Sequence, residues 1–216
     1  MEEPKFRVTE IFHSIQGESH TVGRPTVFVR LTGCPLRCIY CDTEYAFSGG
    51  NRQSIQQILQ QVMGFDCGYI TVTGGEPLAQ PDCRTLLGAL AATGRDVSLE
   101  TSGALPIDNI DRRVSVVLDL KTPGSMQSDK NLWQNVGLLK RKDQVKFVIC
   151  DAVDYAWSKS KTIQYNLTEK VQHIFFSPAH GKQDATELAE WILNDQLNVR
   201  MQLQQHKLLW GDVAGK

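Results

Sequence analysis

The chain has 216 residues, of which 41% are hydrophobic and 22% charged, and its 23 Lys and Arg side chains nearly balance 24 Asp and Glu. This composition is that of an ordinary globular protein, and it argues against a disordered chain or a strongly basic nucleic-acid-binding domain. No apolar run approaches the ~20 residues of a membrane span, and residues 1–12 lack the features of a signal peptide. We therefore expect one cytoplasmic domain over residues 1–216 that acts on neither nucleic acid nor membrane.

Short hydrophobic runs predict strands, and several are apolar throughout, as parallel strands covered on both faces are. The predicted strands are TVFVRL (26–31), YITVT (69–73), VSLE (97–100), VSVVLDL (114–120), QVKFVI (144–149), HIFF (173–176) and VRMQL (199–203). Amphipathic segments between them predict helices. The predicted helices follow Ser54, which forms a capping-box pattern with Gln57, cover 81–93, follow Asp151 and start near Asp184, with a further short helix over 131–140.

The alternation of strands and helices predicts a parallel sheet joined by right-handed crossovers. The chain is shorter than the ~250 residues of a closed eight-fold barrel, which leaves an open doubly wound sheet or a partial barrel. Polar motifs follow the strands in turn: LTGC, TVTGGEP, LETSG, LDLKTP and FFSPAHG. Because the C-terminal ends of parallel strands form the ligand face in either fold, we expect these motifs to share one active site.

A cluster of cysteines lies in GCPLRCIYCDT, with the spacing Cys34-x3-Cys38-x2-Cys41. Such a spacing is typical of metal ligands, whereas the remaining cysteines are scattered in apolar or helical surroundings, as small core residues are. A structural zinc site takes four protein ligands, and one of the dispersed histidines could supply the fourth. A [4Fe–4S] cluster on three thiolates instead leaves one iron open for a substrate or cofactor. The missing fourth cysteine favours the catalytic cluster.

With Tyr40 before its last cysteine, this motif resembles that of the radical S-adenosylmethionine (SAM) superfamily. There the open iron binds SAM, and reductive cleavage of SAM generates the radical that removes hydrogen from the substrate. Residues 74–77 (GGEP) and 100–103 (ETSG) resemble two further superfamily motifs. The resemblance implies an α/β fold, a partial (β/α) barrel with about six core parallel strands and its active site at their C-terminal ends. It also implies a [4Fe–4S] cluster and SAM as cofactors.

FHSIQGE (12–18), Arg30, the cysteine motif, the adjacent Asp42 and Thr43, and TGGEP together resemble the 7-carboxy-7-deazaguanine synthase family. The resemblance implies a lyase that converts 6-carboxy-5,6,7,8-tetrahydropterin to 7-carboxy-7-deazaguanine with loss of ammonia, in the biosynthesis of queuosine and other deazapurines. It further implies a homodimer and an electron donor of the flavodoxin or ferredoxin type.

The resemblance assigns substrate binding to Ile15, Gln16, Gly17, Glu18, Arg30 and Thr73. An amide and a carboxylate can pair with the alternating donors and acceptors of a pterin, and a guanidinium can bind a carboxylate bidentately. SIQGE could instead be only a polar turn, and Arg30 could pair with the structural carboxylate of Glu10. Ser19 stands where the family pattern has a glycine, so we expect a local difference in the backbone.

The resemblance assigns the cluster to Cys34, Cys38 and Cys41, and SAM contacts to Tyr40, Cys41, Asp42, Gly75, Glu76, Ser102, Asp119 and Lys121. Thr43 is expected to bind Mg²⁺ through its hydroxyl, since magnesium takes few protein ligands. The alternatives are purely structural roles: a glycine turn at Gly75, a buried Asp119–Lys121 pair and a Thr43 cap of the local turn. The LDLK sequence departs from the serine-proline-lysine expected there.

Two other functions fit parts of the sequence. A radical SAM activase, which installs a radical on a partner enzyme, would share the cysteines and GGE but would not need SIQGE, Arg30 or CDT. A non-enzymatic zinc module would use the three cysteines and one histidine. The C-terminal third predicts little: His180 could line the rim or be exposed, and Trp210 is expected to pack the terminus or a dimer contact.

Overall fold

The computed structural model describes residues 3–211, 213 and 215. Its strands are β1 (Lys5–Ile15), β2 (Pro25–Leu31), β3 (Asn51–Ser54), β4 (Tyr69–Gly74), β5 (Asp96–Thr101), β6 (Ser115–Asp119), β7 (Gln144–Ile149), β8 (His173–Pro178) and β9 (Arg200–Met201). Its α-helices are α1 (Ile55–Met63), α2 (Cys83–Ala91), α3 (Ala152–Gln164), α4 (Leu167–Lys170), α5 (Ala185–Asn194) and α6 (Gln205–Trp210). Short 3₁₀ helices cover Glu44–Phe47, Pro77–Ala79, Pro123–Ser125, Ser128–Lys130 and Trp133–Leu138.

The strands form one sheet in the order β3-β1-β2-β4-β5-β6-β7-β8-β9. From β2 onwards every pairing is parallel, whereas β1 pairs antiparallel with both β2 and β3. The order is linear, so the sheet is open among the described residues, as a partial barrel requires. The prediction of about six core parallel strands is confirmed by β2, β4, β5, β6, β7 and β8.

Capping residues in the sequence predicted correctly where three of the helices begin. Ser54 and Gln57 form the predicted capping box at the start of α1, each side chain bonding the other's backbone N–H. Asp151 and Asp184 cap α3 and α5 by accepting bonds from backbone N–H groups three residues on. The segment 131–140 was predicted as a helix but contains only 3₁₀ turns, and the predicted strand over 199–203 shortens to β9.

The core lies between the parallel sheet and the helices that cover it. Its large, fully buried side chains come from strands and helices alike, and include Leu31, Ile58, Leu86, Leu87, Leu90, Leu99, Leu118, Phe147 and Phe176. Burial of this apolar area is the main stabilising contribution, because each fully buried side chain contributes about 1.5–3 kcal/mol. None of the helices among the described residues has the length and apolarity needed to cross a membrane.

Asp154, in the first turn of α3, fixes the loop that follows β6. Its buried carboxylate accepts hydrogen bonds from the Thr122 hydroxyl at 2.9 Å, the Gly124 N–H at 2.7 Å and the Cys150 N–H at 3.0 Å. Buried donors must find acceptors, so this one side chain ties two strand ends together. The rim of the sheet is therefore rigid at this corner.

Asp154→Ala should lower the free energy of unfolding by about 3 kcal/mol, because the half-buried N–H groups of Gly124 and Cys150 lose their acceptor. Asp151→Ala is the control: it removes a single capping bond from the same helix and should cost about 1 kcal/mol. Chemical denaturation of the apo-protein measures both. Equal losses for the two variants would contradict the role assigned to Asp154.

Candidate active site

The predicted cluster ligands lie on the loop that leaves β2. The chain turns at Gly33, whose φ is 103°, and its N–H donates to the Ala46 carbonyl at 2.8 Å. The thiols of Cys34, Cys38 and Cys41 are free and partly buried. Burial raises the pKa of all three, and the Lys121 ammonium lowers it in part. A positive charge beside three free thiols is a suitable setting for thiolate ligands.

The glycine pair after β4 packs against this cysteine loop. A Cβ at Gly75 would overlap the Gly33 carbonyl oxygen and lie 2.7 Å from the Cβ of Cys34. The Glu76 N–H donates to the Gly33 carbonyl at 2.7 Å. We expected Gly75 to allow close approach of SAM; the close approach that the structure shows is that of the cysteine loop backbone. The SAM contact stays a prediction.

Glu76 is fully buried and joins three loops. Its carboxylate accepts hydrogen bonds from the Ser102 N–H at 2.7 Å, the Ser102 and Thr101 hydroxyls and the Leu78 N–H. The Ser102 hydroxyl, predicted to contact SAM, therefore donates to a protein carboxylate. The geometry assigns Glu76 and Ser102 first to holding the strand ends in register.

Asp119 and Lys121 form the buried ion pair that was the alternative to cofactor contacts, with Asp119 Oδ2 and Lys121 Nζ 2.9 Å apart. Burial alone would lower the pKa of Lys121, but the charge and hydrogen bond of Asp119, together with Tyr40 and Cys38, raise that pKa above its usual value. The ammonium lies 5.9 Å from the centre of the Tyr40 ring. Tyr40 Oη and Asp119 Oδ1 are buried without a hydrogen-bond partner among the described residues, so both are available to a ligand.

SIQGE is more than a polar turn, because its side chains enter the sheet. Gln16 is buried, and its amide donates to the Thr71 hydroxyl at 3.1 Å and accepts from the Glu18 N–H at 3.2 Å. Ile15 ends β1, and a Cβ at Gly17 would overlap the His206 ring. The loop is thus held from the sheet below and from α6 above.

The backbone at Ser19 has a conformation that glycine adopts readily, which agrees with the glycine of the family pattern at this position. Its φ is 66°, a left-handed conformation that costs a residue with a side chain about 1 kcal/mol. The Gln202 amide holds this backbone by accepting from the Ser19 N–H and donating to its carbonyl, both at 2.8 Å. The left-handed turn is therefore retained without glycine.

Two functional candidates escaped the sequence analysis. Lys146, in β7, donates to Glu18 Oε2 at 2.6 Å, and both side chains are at least 85% buried. Glu100, at the end of β5, accepts from the Thr73 hydroxyl at 2.8 Å. Burial and the nearby Glu18 charge raise the pKa of Glu100. A charged residue inside the apolar run QVKFVI was the available signal for Lys146.

These groups surround a small cavity at the C-terminal ends of the strands. Its lining comes from the SIQGE loop, four core strands and the segment before α6, and consists of Glu18, Ser19, Glu100, Val117, Asp119, Lys146, Phe175 and Gln202. Glu18 Oε1 is buried there without a partner among the described residues. The cavity thus offers unpaired acceptors to a ligand that carries N–H groups.

Arg30 pairs with Glu10, the alternative raised from the sequence. Its Nε donates to Glu10 Oε1 at 2.7 Å, and the Tyr45 hydroxyl donates to the same oxygen at 2.7 Å. The guanidinium also lies 5.7 Å from the ring centres of Phe12 and Tyr45. One edge of Arg30 is therefore engaged by the protein, and binding of a substrate carboxylate stays a prediction for the remaining edge.

The predicted magnesium ligand faces its neighbour in CDT. The Thr43 hydroxyl donates to Asp42 Oδ1 at 2.7 Å and makes no capping bond to the turn that follows, so the capping alternative is wrong. Burial opposes ionisation of Asp42, but the Thr43 bond and the Lys207 charge outweigh it and lower its pKa. The Thr43 oxygen keeps lone pairs for a cation.

The C-terminal segment closes the site from above, which the sequence did not predict. The Gln205 N–H donates to the Gly17 carbonyl at 3.0 Å, and the Gln204 amide donates to Asp42 Oδ2 at 3.3 Å. Lys207 Nζ lies 3.6 Å from the same carboxylate oxygen. The segment therefore contacts both the SIQGE loop and the CDT loop.

Comparisons with known proteins agree with this geometry. The family model described as the radical SAM superfamily matches residues 28–123. A 7-carboxy-7-deazaguanine synthase of Koribacter versatilis is 40% identical over 94% of this chain and 96% of its own, and one of Chlorobaculum tepidum is 42% identical over 98% and 97%. The chain belongs to the 7-carboxy-7-deazaguanine synthase family. The crystal structure of QueE from Escherichia coli shares the fold, with a TM-score of 0.79, 22% identity and coverage of 94% of this chain and 95% of that one.

As a radical SAM protein, the chain uses a [4Fe–4S] cluster and SAM. The residues fit these groups: three free thiols lie on one loop beside Lys121, and unpartnered oxygens of Tyr40 and Asp119 lie next to them. The zinc alternative is not favoured, because no three His, Cys, Asp or Glu side chains in the described part of the chain are placed to hold a single ion. The activase alternative is not favoured either, since the relatives compared are synthases.

Gly75→Ala should displace the cysteine loop, because the new methyl group would overlap Gly33 and Cys34. We expect fewer iron and sulfide ions retained per chain after anaerobic reconstitution, and a loss of about 2 kcal/mol in apo-protein stability from overpacking. Gly137→Ala, where nothing lies within 4 Å of the added Cβ, is the control. Full iron retention by Gly75→Ala would contradict the packing argument.

Proposed function

We propose that this chain converts 6-carboxy-5,6,7,8-tetrahydropterin to 7-carboxy-7-deazaguanine with release of ammonia. The observation that carries the proposal is a cavity lined by charged side chains, of which Asp119 is close enough to act on the Cys38 thiol. The chain's relatives at 40–42% identity are 7-carboxy-7-deazaguanine synthases. When bound, the cluster and SAM supply the one-electron chemistry that removes a hydrogen atom from the substrate. The protein binds and orients the substrate and shields the reaction from solvent.

The pterin edge is assigned to the SIQGE loop. Glu18 has a buried, unpaired oxygen that accepts an N–H of the substrate, and backbone groups of Ile15 and Gly17 complete the edge. Gln16 orients the loop through its bonds to Thr71 and to the Glu18 N–H. An unsatisfied buried acceptor binds a donor strongly, because its desolvation is already complete in the free protein.

The substrate carboxylate is assigned to Arg30 and to Mg²⁺ on Thr43. Glu10 holds Arg30 by accepting from its Nε, and Asp42 holds Thr43 by accepting from its hydroxyl. Thr73 contacts the substrate from β4, and its bond to Glu100 fixes its hydroxyl. Cys34, Cys38 and Cys41 bind the cluster.

SAM is assigned to the strand ends between the cluster and the cavity. Tyr40 Oη and Asp119 Oδ1 are the unpartnered groups there, with Lys121 holding Asp119 in place. Backbone groups of Cys41, Asp42 and Gly75 and the loop of Glu76 and Ser102 complete the contacts. We further propose a cytoplasmic homodimer that receives electrons from a flavodoxin or ferredoxin and acts on the free pterin, not on nucleic acid.

Anaerobic turnover tests the proposed function. Reconstituted protein is reduced and mixed with SAM, Mg²⁺ and 6-carboxytetrahydropterin, and the products are read by mass spectrometry. The proposal predicts a deazaguanine carboxylate together with one ammonia per product. Cleavage of SAM to deoxyadenosine with the pterin unchanged would contradict the substrate assignment while leaving the superfamily chemistry intact.

Two substitutions separate the cluster from the substrate site. Cys38→Ala should abolish cluster binding, seen as loss of the iron–sulfur absorbance. Arg30→Ala should retain the cluster and SAM affinity but raise KM for the pterin by about 10- to 100-fold, the range for one charge-assisted contact. The control is Arg84→Ala, which removes an exposed pair with Asp108 outside the cavity. An unchanged KM in Arg30→Ala would overturn the carboxylate assignment.

A further inference from the structure

Lys146 is the cavity cation that none of the assignments above uses. It extends from β7 into the space beneath the SIQGE loop, with only 11% of its side chain exposed. The charged groups that face it from the packed elements are Glu18, Glu100 and Asp119. Asp119 is already paired with Lys121, and Glu100 with the Thr73 hydroxyl. The Glu18 carboxylate therefore depends on Lys146 for its counter-charge.

In the contact between Lys146 and Glu18, one carboxylate oxygen binds the protein and the other is left for a ligand. Oε2 accepts from Lys146 at 2.6 Å, whereas Oε1 is buried and has no partner among the described residues. The Glu18 N–H is held by Gln16, and the turn beyond it by Gln202. The backbone of Glu18 and its Oε2 are thus held by the protein without any ligand. Its Oε1 remains as the acceptor for an N–H of a ligand.

We infer that Lys146 is a positioning residue for the substrate: it holds Glu18 Oε2 and so aims the free Oε1 at an N–H of the pterin ring. The inference rests on the proposed function and extends it to a residue outside the family motifs quoted above. An ionised carboxylate is the stronger acceptor for a ring N–H, and a buried one persists only beside a cation. Lys146 supplies that cation through its contact with Glu18 Oε2.

Lys146→Met tests the inference, because it keeps the length of the side chain and removes its charge. Anaerobic calorimetry of the cluster-loaded protein with SAM gives the Kd of 6-carboxytetrahydropterin directly. We expect the Kd to rise by about 30-fold and SAM affinity to stay unchanged. Lys146→Arg should recover most of the affinity. A Kd for Lys146→Met within about threefold of the unsubstituted protein would overturn the inference.

A double substitution keeps the test decisive if Lys146→Met alone fails to fold. Glu18→Gln with Lys146→Met removes both charges of the pair, and it should bind the pterin as weakly as Glu18→Gln alone, because Lys146 then has nothing to position. A further loss of affinity in the double variant would show that Lys146 acts independently of Glu18. Lys159→Met, which removes an ion pair with Asp195 on the helical layer, is the matched control.

Turnover distinguishes the two levels of the account. If the unsubstituted protein makes the deazaguanine product and Lys146→Met binds the pterin normally, only the positioning role is wrong. If the unsubstituted protein neither binds nor converts the pterin, the proposed function itself is wrong.

Discussion

The buried carboxylate of Glu76 is the interaction on which the architecture of the site depends. It accepts hydrogen bonds from Leu78 on its own loop, from Thr101 at the end of β5 and from Ser102 directly after it. The backbone N–H of Glu76 donates to the carbonyl of Gly33, at the start of the cysteine loop. Three consecutive strands of the parallel sheet therefore deliver their ends at fixed separations. Cluster ligands, cofactor contacts and substrate cavity share that frame.

Charge is distributed across this frame in two buried pairs. Lys121 with Asp119 lies on the side of the cysteines, and Lys146 with Glu18 lies on the side of the SIQGE loop. A buried pair contributes little net stability, since desolvation of both ions offsets their attraction. Their contribution is to orient the two carboxylates. Each pair leaves one carboxylate oxygen without a partner, Asp119 Oδ1 and Glu18 Oε1, and both residues line the same cavity.

Sequence patterns predicted the parallel core and the helix starts, because apolar runs and capping residues act locally. They missed β1, the antiparallel strand between β3 and β2, because its side chains alternate between exposed and buried only over residues 5–8 and are mostly half-buried beyond them. The cysteine spacing located the cluster loop, but the contacts of Gln16 with Thr71 and of Glu18 with Lys146 depend on which strands become neighbours. Lys146 has the same signal as Arg30, a lone cation in an apolar strand. The closing segment at Gln205 could not be predicted, since its contacts with Gly17 are almost two hundred residues away in sequence.

An anaerobic crystal structure with SAM and 6-carboxytetrahydropterin would test the central claim, that the cysteine loop and the cavity beside Glu18 form one active site. The account predicts a four-iron cluster on Cys34, Cys38 and Cys41, and the pterin in the cavity with a ring N–H on Glu18 Oε1. SAM should lie between them, at Tyr40 and Asp119. A pterin bound elsewhere, with the Glu18 oxygen still unpaired, would contradict the account.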